Sequence, residues 1–253
     1  MDAYDFLIGD GPDTVTIDDQ FIWVTNSKDG TVTGLALDGT RLGTLPTGGL
    51  PRGLALDGHA IWVANSSDHT LTRLALDGAA LGTFPVGRGP RGLAFDGKAM
   101  WVANSLDDTV TRLALDGAAL GTFRCGAGPV DVAFDGQAIW VANSDAHSVT
   151  KLASDGTTLS IFPVGFPPVY VAFHGGAIWV ANLGDRTVTR LALNGMTLTP
   201  STFPAARAPR GFAFDGKAIW VARIAGARFN RSEIRLTVGE GVDRIIPEAL
   251  NGG

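Results

Sequence analysis

The sequence predicts an all-β fold, a six-bladed β-propeller of four-stranded antiparallel blades. Six tryptophans recur 39 residues apart (62 − 23), with a last interval of 41 (220 − 179): Trp23, Trp62, Trp101, Trp140, Trp179 and Trp220. The text around them is also alike, from IWVTNS at the first to IWVARI at the last. A fixed period near 40 residues is typical of a repeat architecture. The chain's 34 Gly and 13 Pro supply the many turns that short strands need.

Each repeat contains four strand segments, which in the third repeat are residues 90–96, 99–105, 109–115 and 119–125. Asp-Gly separates the first segment from the second and the third from the fourth, and this dipeptide favours a type I′ hairpin. A proline beside the Phe or Leu of most fourth segments predicts an edge strand, because proline cannot donate to a ladder. We therefore expect the fourth strand at the outer edge of each blade and the first, PRG-type strand at a central channel.

We expect a single domain over residues 1–253. Residues 1–11 align with the fourth segment of the other repeats, which predicts that this N-terminal strand closes the ring as the outer strand of the last blade. Residues 245–247 compete for the same place, and an excerpt of a longer array is the alternative. The repeats lie near residues 12–50, 51–89, 90–128, 129–167, 168–208 and 209–253.

Composition narrows the classes of partner. A net charge of −5 argues against generic nucleic-acid binding, and no apolar run approaches the roughly 20 residues of a membrane span. The N-terminus lacks the features of a signal peptide, so we expect a cytoplasmic protein or an excised domain of a larger or secreted one. The single Cys125 excludes an internal disulfide framework and aligns with Val86 and Val164, as a small buried hydrophobe would. We expect a monomer.

The repeated text around the tryptophans carries a family resemblance. With WVTN at 23–26 and WVAN at 62–65, 101–104, 140–143 and 179–182, the chain resembles the YVTN-type and NHL-type propeller repeats. It is also similar to the streptogramin (virginiamycin B) lyase-like propellers. The resemblance covers almost the whole chain and implies its fold, whereas function stays open because such propellers serve as binding modules as well as enzymes. Near-identity of neighbouring repeats also fits recent amplification or consensus design.

The resemblance implies one functional feature whose presence can be checked in the sequence. Lyases of this group depend on a constellation of His and Glu with a metal ion on the top face. Here all three Glu lie in the C-terminal stretch, and the four His fall in loops: His59, His69, His147 and His174. No His is therefore placed to work with a Glu as general acid and base. We predict no catalytic residue, no metal site and no cofactor.

The repeats differ most just after their turn proline, at the expected channel mouth. The first residue there is, in order, Asp13, Arg52, Arg91, Val130, Val169 and Arg210, and the second is Thr14, Gly53, Gly92, Asp131, Tyr170 and Gly211. Three converging guanidinium groups would suit a carboxylate, a phosphate or a sulfated sugar. The candidate ligand-binding residues here are Arg52, Arg91, Arg210, Asp131 and Tyr170. In the alternative interpretation each Arg pairs with a nearby Asp and only solvates the rim.

The sixth repeat adds a second basic feature. Its loop between the second and third strands is longer than in the other repeats and carries Arg228, Phe229 and Arg231. Arg223 replaces the Asn found at the same place in the other repeats. These residues predict a site for an anion or an acidic partner, with Phe229 as an apolar anchor. A solvated loop is the alternative.

The invariant positions favour a structural interpretation. We expect the Trp column to be core between blades, and the Asn that ends each second strand to bond the backbone of the following loop. The function we predict is a non-enzymatic scaffold that binds a small anionic ligand or an unknown protein through its top face. The first alternative is a streptogramin-lyase-like lyase or hydrolase acting on a small anionic substrate. The second is an amplified or designed symmetric scaffold with no ligand.

Overall fold

The computed structural model describes residues 5–17, 20–194, 197–205, 209–214, 219–223, 233–235 and 242–245, with side chains for 8–17, 20–194, 202–205, 209 and 211. All regular structure in these ranges is β-strand. No helix in the part of the chain described here is long and apolar enough to cross a membrane. The chain divides into an N-terminal unit, Ala3–Arg124 with Arg228–Leu236, and a C-terminal unit, Met1–Asp2 with Cys125–Ala227 and Thr237–Gly253. A single domain therefore stays a prediction.

The N-terminal unit contains three antiparallel four-stranded sheets, each ordered as in the chain. A short strand, β1 (Asp5–Leu7), precedes them. Blade 1 is β2 (Pro12–Ile17), β3 (Phe21–Asn26), β4 (Thr31–Ala36) and β5 (Arg41–Pro46). Blade 2 is β6 (Pro51–Leu56), β7 (Ala60–Asn65), β8 (Thr70–Ala75) and β9 (Ala80–Pro85). Blade 3 is β10 (Pro90–Phe95), β11 (Ala99–Asn104), β12 (Thr109–Ala114) and β13 (Ala119–Arg124).

The C-terminal unit continues the same pattern through two further sheets and then changes. Blade 4 is β14 (Pro129–Phe134), β15 (Ile139–Asn143), β16 (Ser148–Leu152) and β17 (Thr158–Pro163). Blade 5 is β18 (Pro168–His174), β19 (Ala177–Asn182), β20 (Thr187–Ala192) and β21 (Thr197–Pro204). The sixth repeat contributes β22 (Pro209–Phe214), β23 (Ile219–Arg223) and β25 (Val242–Ile245), which form a three-stranded sheet. Its segment β24 (Glu233–Arg235) belongs to the N-terminal unit.

The prediction of six four-stranded blades closed by the N-terminal strand is wrong. In the described ranges five blades have four strands, and the sixth repeat forms only the order β22-β23-β25. β1 does pair antiparallel with β24, which follows Arg231 of the sixth repeat in the chain. That pair is a separate two-stranded sheet, because β25 instead takes the ladder position beside β23. Two extended segments compete for one strand edge, and main-chain hydrogen bonding alone does not choose between them.

The turn chemistry follows the prediction in part. In the first hairpin of blade 3, Gly97 has the positive φ (87°) that favours glycine. Asp96 does not, so the predicted type I′ turn, which needs two positive φ values, is wrong. The Asp96 carboxylate instead accepts hydrogen bonds from the backbone N–H groups of Lys98 and Ala99, at 2.8 and 2.7 Å. The side chain thus shapes the turn as an Asx-type acceptor.

The predicted strand order within a blade is confirmed. The fourth strand, which carries a proline in blades 1, 2, 4 and 5, is an edge strand in each of the five blades. The first strands lie beside one another within each unit: β6 contacts both β2 and β10, and β18 contacts β14 and β22. Within a unit, residues near the start of a first strand are therefore close to their counterparts in the adjacent blade.

The Trp and Asn columns have structural roles, although the amide N–H groups of the Asn residues bond hydroxyls of the next strand and not the backbone of the loop. Five Trp side chains are buried, the most exposed being Trp23 at 3%. Three of them, Trp23, Trp62 and Trp140, form apolar clusters with residues of the next blade of the same unit. Each Asn side-chain amide donates to two hydroxyls of the following strand, as Asn104 does to Thr109 and Thr111 at 3.1 and 2.8 Å. The Asn residues therefore bond buried hydroxyls and offer no free N–H donor to a ligand.

Candidate functional site

A β-bulge opens the first strand of every described blade. In blade 2 the register with β7 shifts between Pro51 and Leu54, and in blade 4 the shift falls between Pro129 and Asp131. A bulge removes residues from the regular ladder and re-aims their side chains. The positions that vary most between repeats therefore coincide with the one irregular point of each first strand. The sequence located these positions but gave no signal of the bulge itself.

Arg52 forms an ion pair with Asp13 on the neighbouring strand β2. Its Nη1 donates to the Asp13 carboxylate at 3.4 Å, and both side chains are 33% exposed. The backbone carbonyl of Arg52 accepts a hydrogen bond of 2.9 Å from the Thr25 hydroxyl, which fixes the bulged residue against blade 1. The long distance and partial exposure make this a weak ion pair. The alternative in which an arginine pairs with an aspartate thus applies to Arg52.

Arg91 occupies the same place on the next strand, β10. The two strands approach so closely that a Cβ at Gly53 would overlap the backbone carbonyl oxygen of Arg91. Arg52 and Arg91 are therefore on adjacent first strands in very close backbone contact. With Asp13 they form what we call the arginine rim, a row of charges within the N-terminal unit.

The C-terminal unit carries a different pair at these positions. The Asp131 carboxylate on β14 accepts a hydrogen bond of 2.9 Å from the backbone N–H of Val171 on β18. Burial raises the pKa of Asp131 to about 7, and hydrogen bonds from the backbone of Val171 and Val132 only partly offset it. Burial, and then the negative charge of Asp131, raise the pKa of Tyr170. The structure thus brings together Asp131 and Tyr170, as the acidic pair.

The raised pKa of Asp131 predicts a pH dependence of stability. An ordinary Asp titrates near 4 when unfolded. As the pH rises from about 4 to about 7, the carboxyl group ionises in the unfolded chain but stays protonated in the folded protein. The free energy of unfolding therefore falls over this range. We expect Asp131→Asn to remove this fall and to stabilise the protein at pH 8 by about 1–2 kcal/mol, because solvent still reaches part of the side chain.

Urea unfolding of Asp131→Asn and of the parent at several pH values measures this. The amide can still accept the bond from Val171, so geometry is kept. Asp155→Asn is the matched control, because its carboxylate is exposed and accepts hydrogen bonds from Thr157 that lower its pKa. A parent whose stability stays flat between pH 4 and 8 would contradict the assignment.

The side chains of the remaining predicted site residues lie outside the described ones. The backbone of Arg210 and Arg223 lies in β22 and β23, where Pro209 pairs with Arg223. Arg228, Phe229 and Arg231 lie outside the described residues. The basic patch of the sixth repeat therefore stays a prediction.

The histidines have local contacts. His69 accepts a hydrogen bond from the Gly89 backbone N–H at 3.2 Å through Nδ1, and His147 packs edge-on against Phe166 with ring centroids 4.5 Å apart. The carbonyl oxygen of His174 accepts from the Trp179 indole at 3.2 Å. Within the described ranges, no group of three or more His, Cys, Asp or Glu side chains could hold a metal ion.

The sequence interpretation missed a buried cluster below the Trp column. In blade 3 the Asp96 carboxylate accepts from the Trp101 indole at 2.8 Å and from the Arg112 guanidinium at 3.1 Å. The Arg112 guanidinium lies 5.4 Å from the centre of the Trp101 ring. The signal was present, since an Asp stands five residues before most tryptophans and a cation eleven residues after. Its recurrence in several blades marks it as part of the scaffold.

Comparison with known proteins supports the fold. No family model and no curated protein matches the chain. Virginiamycin B lyase from Staphylococcus aureus is similar at a TM-score of 0.80 and 16% identity, covering 97% of this chain and 88% of the other. A streptogramin B lyase gives 0.80 and 16%, covering 96% and 86%. The computationally designed Ika8 protein gives 0.67 and 15%, covering 84% and 68%. Identities this low establish the β-propeller fold alone, and the predicted resemblance to lyase-like propellers is confirmed at that level.

Proposed function

We propose that the protein is a non-enzymatic binding propeller that takes a small anionic group, a carboxylate or a phosphate, at Arg52 and Arg91. The observation that carries the proposal is the arginine rim, where two arginines follow the turn prolines of adjacent first strands. Arginine is suited to this role because its planar guanidinium can hold such an anion by two parallel hydrogen bonds. An acidic side chain of a protein partner would use the same chemistry.

The weak ion pair of Arg52 leaves room for a ligand. A pair at 3.4 Å with both groups 33% exposed contributes little, so an anion can compete with Asp13 for the guanidinium. The Nε of Arg52 is buried and has no hydrogen-bond partner within the described residues. Because this donor is buried, an anion that displaced Asp13 would bind through Nη1 instead.

Thermal shift with phosphate, citrate and sulfated sugar tests the proposal. A ligand at a hundred times its dissociation constant stabilises the folded protein by about 2.7 kcal/mol. We expect that shift in the parent and its loss in Arg52→Ala/Arg91→Ala. The exposed Arg124 on β13 supplies the control, because Arg124→Ala removes the same charge elsewhere. An equal shift in parent and double variant would reject the rim as the site, and no shift with any anion would favour a bare scaffold.

The acidic pair favours a second candidate, a lyase or hydrolase acting on a small anionic substrate. A carboxyl group whose pKa is about 7 is well matched to proton transfer at neutral pH. Asp131 would act as the general acid or base and Tyr170 would hydrogen-bond the substrate. Turnover of a small ester or lactone that is lost in Asp131→Asn and kept in Arg52→Ala would support this candidate over the first.

A further inference from the structure

Blade 1 lacks a cation that blades 2 to 5 share. In those blades, the residue paired with the Trp across the second and third strands is basic, and its charged group lies 4.8–5.4 Å from the ring centre. The pairs are Trp62–Arg73, Trp101–Arg112, Trp140–Lys151 and Trp179–Arg190. In blade 1 the partner of Trp23 is Gly34. The Trp23 ring rests against this glycine, since a Cβ there would lie 2.6 Å from the ring carbon Cζ3.

Blade 1 also lacks the aromatic ring of the fourth strand. In blades 2 to 5 a Phe packs on the Trp with ring centroids 5.6–5.9 Å apart. Leu45 stands at this position in blade 1. In blade 2 the ring of Phe84 folds back to 2.7 Å from a Cβ built on Gly82, whereas a Cβ on Gly43 would meet nothing within 4 Å. Two shortened side chains thus leave open space beside one Trp.

This open space is a pocket of about 90 Å³ within the N-terminal unit. Its walls are Trp23, Gly34, Leu42, Gly43 and Leu45 of blade 1 and the hairpin Leu76–Gly78 of blade 2. Asp77 is the single charged residue of the lining, and it is exposed. Its carboxylate accepts one backbone hydrogen bond, from Ala79 at 3.0 Å, which leaves acceptor capacity for a ligand.

We propose that this pocket binds the arginine side chain of a partner peptide, which supplies the guanidinium that blade 1 lacks. The flat cation would lie against the Trp23 ring, as the chain's own arginines do in three other blades. Its alkyl stem would pack on the leucines, and Asp77 would pair with the charge at the rim. The site is separate from the arginine rim, whose own charge is positive and whose ligand would be an anion.

The test is a titration of the full chain with a blocked Gly-Arg-Gly peptide, followed by the indole N–H signals in nitrogen–proton NMR spectra. The Trp23 signal is assigned from Trp23→Phe. We expect a saturable shift of this signal, with the other indoles unchanged, and no shift with the matching citrulline peptide, which is neutral. Equal response of all indoles, or an equal effect of the citrulline peptide, would overturn the proposal.

Two variants report on the pocket itself. Leu45→Phe restores the ring that the other blades carry and should abolish binding. Asp77→Asn should weaken it about two- to fivefold, since the carboxylate is exposed, while Asp116→Asn at the same position of the next repeat should leave it unchanged. Binding that survives Leu45→Phe would place the peptide elsewhere. Free arginine binding ten times more tightly than the peptide would overturn the assignment to a peptide partner.

Discussion

Replacing Asp96 with alanine is expected to lower the free energy of unfolding by about 3 kcal/mol or more. The side chain is nearly buried, and its carboxylate accepts from the Trp101 indole, the Arg112 guanidinium and two backbone N–H groups. Removing it leaves an indole N–H without its acceptor and a partly buried cation without its counter-charge. Losing one partner of a buried charge network costs more than the net value of the network.

Urea unfolding at pH 7 measures this effect, with Asp116→Ala as the matched control. Asp116 also follows a strand and precedes a glycine, but its exposed carboxylate accepts a hydrogen bond from the backbone N–H of nearby Ala118, at 2.9 Å. We expect the control to lose less than about 1 kcal/mol. Similar losses in the two variants would mean that the buried network contributes no more than an ordinary turn.

The same network makes the stability of the protein depend on pH, and the stabilisation by Asp96 is lost in acid. Burial raises the pKa of Asp96, but the hydrogen bonds from Trp101, the turn backbone and Arg112 outweigh it and hold the pKa below its usual value. A carboxyl group with a depressed folded-state pKa stabilises the protein above its unfolded pKa of about 4. This contribution is lost as the pH falls through the folded-state pKa. The stability difference between parent and Asp96→Ala should therefore shrink under acid conditions.

Replacing Gly53 with alanine is expected to cost about 3 kcal/mol or more, although it adds a single methyl group. That methyl would overlap the carbonyl oxygen of Arg91 and lie 2.7 Å from a methyl carbon of Leu93. The obstacle is the backbone of the neighbouring strand β10, which cannot move aside as the end of a flexible side chain would. Overpacking of this kind forces backbone shifts.

Gly43→Ala is the matched control, because its Cβ would meet nothing within 4 Å. Alanine there should leave the stability unchanged or raise it slightly by restricting the unfolded chain. Calorimetric unfolding of the two variants gives the comparison. A Gly53→Ala protein as stable as its parent would show that the first strands of blades 2 and 3 can separate at little cost.

Much of the fold could be predicted, and blade 3 shows why. Its four strands begin at the predicted residues, Pro90, Ala99, Thr109 and Ala119, and each ends one residue earlier than predicted. Turn glycines and strand-forming residues are local signals, so they locate the strands within a repeat. After the first strand the residue left out is Asp96, whose carboxylate accepts hydrogen bonds from the turn backbone.

The sequence located the residues of the candidate site but did not predict their contacts. Divergence between repeats pointed to Arg52, Arg91, Asp131 and Tyr170, which all lie at first-strand bulges. The ion pair of Arg52 with Asp13 joins residues 39 positions apart in the chain. The bond from Val171 to Asp131 spans 40 positions. Contacts of this range follow from how blades pack, and no local pattern encodes them.

The sequence by itself determined the strands, their order within a blade and the tryptophan core, because these depend on turn residues and apolar positions that recur in every repeat. The tertiary structure alone decided how many blades are complete. A sixth copy of the repeat text does not make a sixth four-stranded blade, since β25 takes the place beside β23 while β24 pairs with β1. Strand edges accept any extended segment that can satisfy their backbone groups, so the choice rests on the packing of the whole chain.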